Sequence, residues 1–203
     1  MNKNFPDRRS IRLKNYDYSQ PGYYFITICC QHRLPLFGKI HNARMQLNHA
    51  GEMINAIWHK IPEIYANIKI DAFVIMPDHI HGIIQIVVVG ADSISAPTTR
   101  AEIDSAPTAE INSAPTLSTI VQMFKRYTTI EYIKMVKQNI VPPFNKRLWQ
   151  RNYWEHIIRN ETALNRIRNY IYQNVGADSI SARDSANRAE IDSAPTDERL
   201  LIL

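Results

Sequence analysis

The stretch Ile70-Asp71-Ala72-Phe73-Val74-Ile75-Met76-Pro77-Asp78-His79-Ile80-His81-Gly82-Ile83-Ile84-Gln85-Ile86 is an apolar run interrupted by Pro77-Asp78. β-branched residues crowd both halves, so residues 68–76 and 79–89 read as a pair of strands turning around Pro77-Asp78. Residues i and i+2 of a strand point to one face, so His79 and His81 project together while Ile80 enters the opposite layer. Two neutral imidazoles side by side make half of a divalent-metal site. Taken alone, such a pair is more often two half-exposed surface histidines. Company elsewhere in the chain changes that balance.

Working outward, Tyr23-Tyr24-Phe25-Ile26-Thr27-Ile28-Cys29-Cys30 reads as the first strand. Residues 48–59 form an amphipathic helix, with Met53, Ile54, Ile57 and Trp58 at three-to-four spacing and Pro62 limiting its continuation. Thr116 or Ser118 caps a helix carrying Leu117, Ile120, Val121, Phe124, Tyr127 and Thr128, and Pro142-Pro143 closes that region. Residues 148–159 are aromatic, basic and partly strand-like; a last helix starts at Asn160 and runs to about Asn174. The order β, α, β, β, α, β, α predicts an α+β, ferredoxin-like fold, an antiparallel sheet with helices packed on one face.

At 203 residues the chain suits one well-buried domain. Gly90-Ala91-Asp92-Ser93-Ile94-Ser95-Ala96 recurs from Gly176, and Arg100 to Thr108 recurs from Arg188. These Ser/Ala/Pro/Asp-rich repeats read as a linker at 90–116, inserted into a single domain spanning 1–175, and a tail at 176–203. Residues 1–89 and 117–175 hold 20 Lys/Arg against 9 Asp/Glu, while the repeat stretches hold 4 against 10. So basic a core implies a polyanionic partner, with nucleic acid the expected one. No apolar run of spanning length exists, so no membrane association is expected. The N-terminus lacks a secretory pattern, and Cys29 and Cys30 are poor partners for each other; a reducing cytoplasm is the expected compartment.

In the last helix, at about 100° per residue, Leu164, Ile167 and Ile171 form the buried stripe, with Tyr170 and Asn174 together on one flank and Tyr172 on the other. A phenol and an amide can thus meet a histidine pair on the sheet. Pro77-Asp78-His79-Ile80-His81-Gly82 resembles the HUH signature (His, hydrophobic residue, His) of single-strand DNA transposases. Residues 148–159, followed by Tyr170-Ile171-Tyr172-Gln173-Asn174, resemble the C-terminal half of REP-associated tyrosine transposases, relatives of the small single-tyrosine transposases of bacterial insertion sequences.

That resemblance covers residues 16–89 and 117–175. It implies a ferredoxin-like HUH nuclease domain. In it His79, His81 and Asn174 hold one divalent ion, Mg²⁺ or Mn²⁺, and Tyr170 is the nucleophile that becomes joined to a 5′ phosphate. The implied partner is single-stranded or hairpin DNA, on a palindromic repeat. Where the family commonly continues Asn-Pro, this chain has Asn174-Val175-Gly176.

Tyr127 and Tyr132 are alternative nucleophiles, and His156 is a base, a ligand or a structural histidine. Lys125, Arg126, Arg147, Arg151, Arg159, Arg166 and Arg168, interleaved with Tyr153 and Trp154, suit a groove that pairs phosphates with cations and stacks bases on rings. Two other functions stay open: a non-catalytic DNA-binding descendant of such an enzyme, and a ferredoxin-like RNA-binding module. Monomer and homodimer are both compatible with the sequence.

Overall fold

A computed structural model describes residues 12, 13, 15–88 and 115–174. Most of the repeat linker and the whole repeat tail, residues 90–114 and 176–203, therefore lie outside the described residues. Strand β1 (Gly22–Cys29) is followed by a short hairpin, β2 (Gly38–His41) and β3 (Arg44–Leu47). Helix α1 (His49–His59) and a single turn, α2 (Ile61–Ile64), lead to β4 (Ile68–Ile75) and β5 (His79–Ile86). Helix α3 (Leu117–Lys137), β6 (Trp154–Ile158) and α4 (Glu161–Gln173) complete the described chain. No helix among the described residues is long and apolar enough to cross a membrane.

The helices begin where side-chain oxygens satisfy their first backbone donors. Asn48 accepts from the Gly51 N–H, Thr116 from Thr119 and Asn160 from Ala163. Pro62 does more than stop α1: it sits in the first turn of α2, where its missing N–H costs nothing.

The main sheet has the order β4-β5-β1-β6, antiparallel at every junction, which is the strand order of a ferredoxin-like arrangement. The α+β class expected from sequence is what the chain forms. One feature differs from expectation: the helices do not all share a face. Tyr24, Ile26 and Ile28 of β1 pack with Ile54 and Trp58 of α1 and with Ile120 and Phe124 of α3. Tyr23 and Phe25, pointing the other way, pack with Leu164 and Ile171 of α4. Both faces of β1 are apolar, so the sheet buries both, as a central strand between two layers must.

The bulge between Ile70 and Phe73 changes which residues of β4 face each layer: Ile68 and Ile75 join the α1/α3 core, whereas Ala72 and Val74 join the α4 side. Gly82 has its own reason. The Trp58 indole lies where its Cβ would stand, stacked flat on Phe73 at 4.4 Å. Trp58 is wholly buried, as are Ile54, Ile26 and Ile80, each isoleucine side chain contributing about 1.5–3 kcal/mol.

Candidate active site

Antiparallel pairing sets Thr27 of β1 opposite His81 of β5, and Cys29 opposite His79, all on the face that α4 covers. The imidazoles converge: His79 Nε2 lies 3.1 Å from His81 Nε2. Their other nitrogens are already engaged, His79 Nδ1 with Asp78 Oδ1 at 2.6 Å and His81 Nδ1 with the Thr27 hydroxyl at 2.7 Å. In the tautomer that donates Nδ1–H to these partners, each ring turns an Nε2 lone pair toward the other.

Tyr170 arrives from α4 and places its hydroxyl 3.3 Å from His81 Nε2. Phe25 organises both rings, stacking on His81 at 5.4 Å and meeting Tyr170 edge-on at 6.2 Å. His81 is buried while Tyr170 keeps about a third of its surface, 37%, open to solvent. Burial, reinforced by the neighbouring His79 and Arg33 charges, pushes the His81 pKa down to about 3. Burial also lowers His79, against the opposing pull of Asp78. Both histidines are therefore neutral near pH 7 and able to act as ligands.

A divalent ion fits this pair. The 3.1 Å between the two Nε2 atoms is the spacing of adjacent donors on one ion with bonds of about 2.1 Å. Two lone pairs facing each other at that distance repel unless a cation or a proton stands between them. Asn174, the third ligand implied by the family resemblance, has its side-chain Nδ2–H and its backbone N–H on the Tyr170 carbonyl, at 2.9 and 3.2 Å. Its observed contacts thus close the end of α4 and do not reach the imidazoles. Among the described residues, no group of three or more His, Cys, Asp or Glu side chains is placed to hold a metal.

Three contributors were not expected at the site from the sequence: Asp78, expected only as a turn residue, and Thr27, which both bond the imidazoles, and Arg33. The Arg33 Nε lies 2.8 Å from Asp78 Oδ2 and its guanidinium also donates to Cys29 Sγ at 2.9 Å. Only Asp78 left a sequence signal, by adjoining the first histidine. The alternative nucleophile Tyr132 is wholly buried and donates its hydroxyl to the Pro142 carbonyl. Tyr172 packs into the α4 layer, and His156 is exposed on the edge strand β6.

The basic and aromatic set divides. Arg126, Arg147, Arg151, Arg159 and Arg166 are exposed, and so is Trp154. Three members are turned inward, contrary to the expectation that they line a groove. Lys125 donates to the carbonyls of Gln150, Arg151 and Asn152 at 3.0, 3.4 and 3.0 Å, and burial lowers its pKa to about 8. The Tyr153 ring is buried, with its hydroxyl bonded to Arg12 and Ser118. Arg168 forms a two-pronged pair with Asp71, Nε to Oδ1 at 2.9 Å and the terminal nitrogen to Oδ2 at 2.6 Å. Each lost its surface role because a carbonyl, a hydroxyl or a carboxylate lies within the fold to meet it.

No family model matches the chain. Among solved structures, it resembles a REP-associated tyrosine transposase bound to a REP hairpin, with 18% identity and a TM-score of 0.49 over 82% of this chain and 72% of that one. It also resembles a candidate transposase from Deinococcus radiodurans, with 13% identity and a TM-score of 0.44 over 82% of this chain and 98% of that one. An uncharacterised protein of Haemophilus influenzae is 40% identical over 167 residues, 82% of this chain and 87% of the relative. Identity at that level, across most of both sequences, means that the chain belongs to the same protein family as the Haemophilus influenzae protein.

Proposed function

We propose that this protein is a transposase-like endonuclease and strand transferase that cuts single-stranded or hairpin DNA through a covalent 5′-phosphotyrosine. The observation that carries this reading is the Tyr170 hydroxyl, 3.3 Å from His81 Nε2, beside a converging histidine pair 89 residues away in sequence. A helix was docked on the second face of the sheet to bring them together. The HUH-like motif His79-Ile80-His81 agrees with it in kind, and the family resemblance of that motif implies single-stranded or hairpin DNA as the substrate.

Mg²⁺ or Mn²⁺ held by His79 and His81, with Asn174 turned toward them, would supply charge neutralisation at a phosphoryl oxygen. The chain's own residues do the rest. Asp78 and Thr27 hold the rings in one orientation, and Phe25 sets the angle of the phenol. Tyr170 gives its proton to water, its oxygen attacks phosphorus, the P–O3′ bond breaks, and the departing 3′ oxygen takes up a proton from water. The phosphotyrosine conserves the bond energy, so a later 3′ hydroxyl can reverse the step and join strands.

The bonding of Asn174 to the Tyr170 carbonyl favours a second reading, a DNA-binding descendant without catalysis. The test is a denaturation-resistant adduct. Labelled single-stranded repeat DNA incubated with Mn²⁺ should yield a protein–DNA conjugate that maps to Tyr170, and Tyr170→Phe should abolish it while DNA affinity stays within about twofold. A conjugate on Tyr127, Tyr132 or Tyr172 would overturn the assignment. Binding without any conjugate would support the non-catalytic reading.

A further inference from the structure

β1 lies between β5 and β6, and Thr27 pairs with His81 on one side and Trp154 on the other. Imidazole, hydroxyl and indole therefore stand in one row across the same face. With strands about 4.8 Å apart, the Trp154 backbone stands roughly 10 Å from that of His81. Trp154 is 60% exposed, whereas Trp58 and Trp149 are 0% and 5% exposed. Beside the indole lies a pocket of about 210 Å³ lined by Trp154, by Thr27 and Cys29, the β1 partners of His81 and His79, and by Gln150, Asn152 and Tyr153.

The wall is braced from behind. Lys125 gathers three consecutive carbonyls of residues 150–152, and the Gln150 N–H donates to the Cys29 carbonyl at 2.9 Å. Arg151, exposed and lying in sequence between the lining residues Gln150 and Asn152, supplies a cation on the same segment. A rigid recess with one exposed aromatic face, two amide side chains and an adjacent cation matches an unpaired nucleotide: ring on ring, base edge on amide, phosphate on guanidinium.

The geometry points to a nucleobase subsite, resting on the proposed DNA reading, in which one unpaired base near the cleaved phosphate stacks on Trp154 and presents its edge to Gln150 and Asn152. This subsite fixes which phosphate reaches Tyr170, because the base is anchored one strand beyond the Thr27–His81 pair. Its occupant is a base of the bound strand itself.

Tryptophan emission of the full chain tests this, since the other two indoles are buried. With chelator present to prevent cleavage, a mixed-sequence single-stranded oligonucleotide should quench the wild-type emission and leave that of Trp154→Phe unchanged. Trp154→Ala should bind about tenfold more weakly, the scale of one stacked base, and Trp154→Phe should retain most of the affinity. Among oligonucleotides carrying a single abasic position at successive sites, one position should lose the quenching. Tight binding with unchanged emission, and equal affinity in Trp154→Ala, would overturn the subsite while the DNA reading stands. Failure of the wild type to bind any oligonucleotide would remove both.

Discussion

His79 and His81 share a strand face but not an environment: His79 is held by the Asp78 carboxylate at 2.6 Å, whereas His81 is buried between Phe25, Thr27 and Tyr170. A carboxylate on Nδ1 favours the tautomer with a free Nε2 and increases the basicity of that nitrogen, as partners behind metal-bound histidines commonly do. Asp78→Asn keeps the shape and removes the charge, and should raise the Mn²⁺ concentration for half-maximal adduct formation about 10- to 100-fold. An unchanged metal titration would show that Asp78 serves only the turn. His81 makes the opposite contribution. Its pKa in the fold is about 3, against about 6.5 when unfolded, so between these values the unfolded chain binds the extra proton. The stability it supplies is complete above about pH 6.5 and is lost as pH falls toward 3. In chelator, wild-type unfolding free energy should drop by about 1–2 kcal/mol more than that of His81→Gln between pH 7 and pH 5. Parallel denaturation curves for the two proteins at both pH values would refute the burial argument.

Helix α4 carries Tyr170, the proposed nucleophile, so its docking decides whether that hydroxyl meets the histidine pair. Apolar contact through Leu164 and Ile171 holds it down, and Arg168 ties it to Asp71 at the β4 bulge, where the same carboxylate also receives the Ala72 N–H at 2.7 Å. Arg168→Ala strands a half-buried carboxylate and should cost about 2 kcal/mol in chemical denaturation. It should also slow adduct formation more than it weakens DNA binding, with Arg168→Lys restoring little, because an ammonium cannot match both oxygens. Reduced DNA affinity at full stability would instead return Arg168 to the DNA surface. α4 was legible from sequence because a cap at Asn160 and a three-to-four apolar stripe act locally. The face it takes was not, since the alternation in β1 is apolar on both sides and a period of two names two faces without assigning either. The β2–β3 hairpin escaped for another reason: its strands are four residues each, half of them polar and most of them exposed, and its turn rests on the left-handed Asn42 and Ala43. Lys125 and Tyr153 show a third limit. Composition brings cations and rings together, but only the path of residues 150–152 decides which of them turn inward.

At the scale of the whole molecule, charge and fold have been sorted onto different surfaces. The cations turned inward, Lys125 and Arg168, hold a loop and a helix in place, while Arg126, Arg147, Arg151, Arg159 and Arg166 remain on the outside. Affinity for a polyanion should come from the second group alone. Each phosphate neutralised on a single strand releases counterions and adds about −0.7 to the slope of log affinity against log salt. The wild-type protein should therefore bind single-stranded DNA with a steep slope, and Arg151→Ala should flatten it by about one contact while weakening all sequences alike. Lys125→Met should leave the slope unchanged, because its ammonium lies against carbonyls and meets no phosphate; its effect should appear as a lower melting temperature. Titrations of both variants from about 50 to 200 mM salt separate the two roles. Were Lys125→Met to lose slope and Arg151→Ala to keep it, the inward and outward assignments would be reversed, and the strand would have to run over α3 and away from the Trp154 pocket.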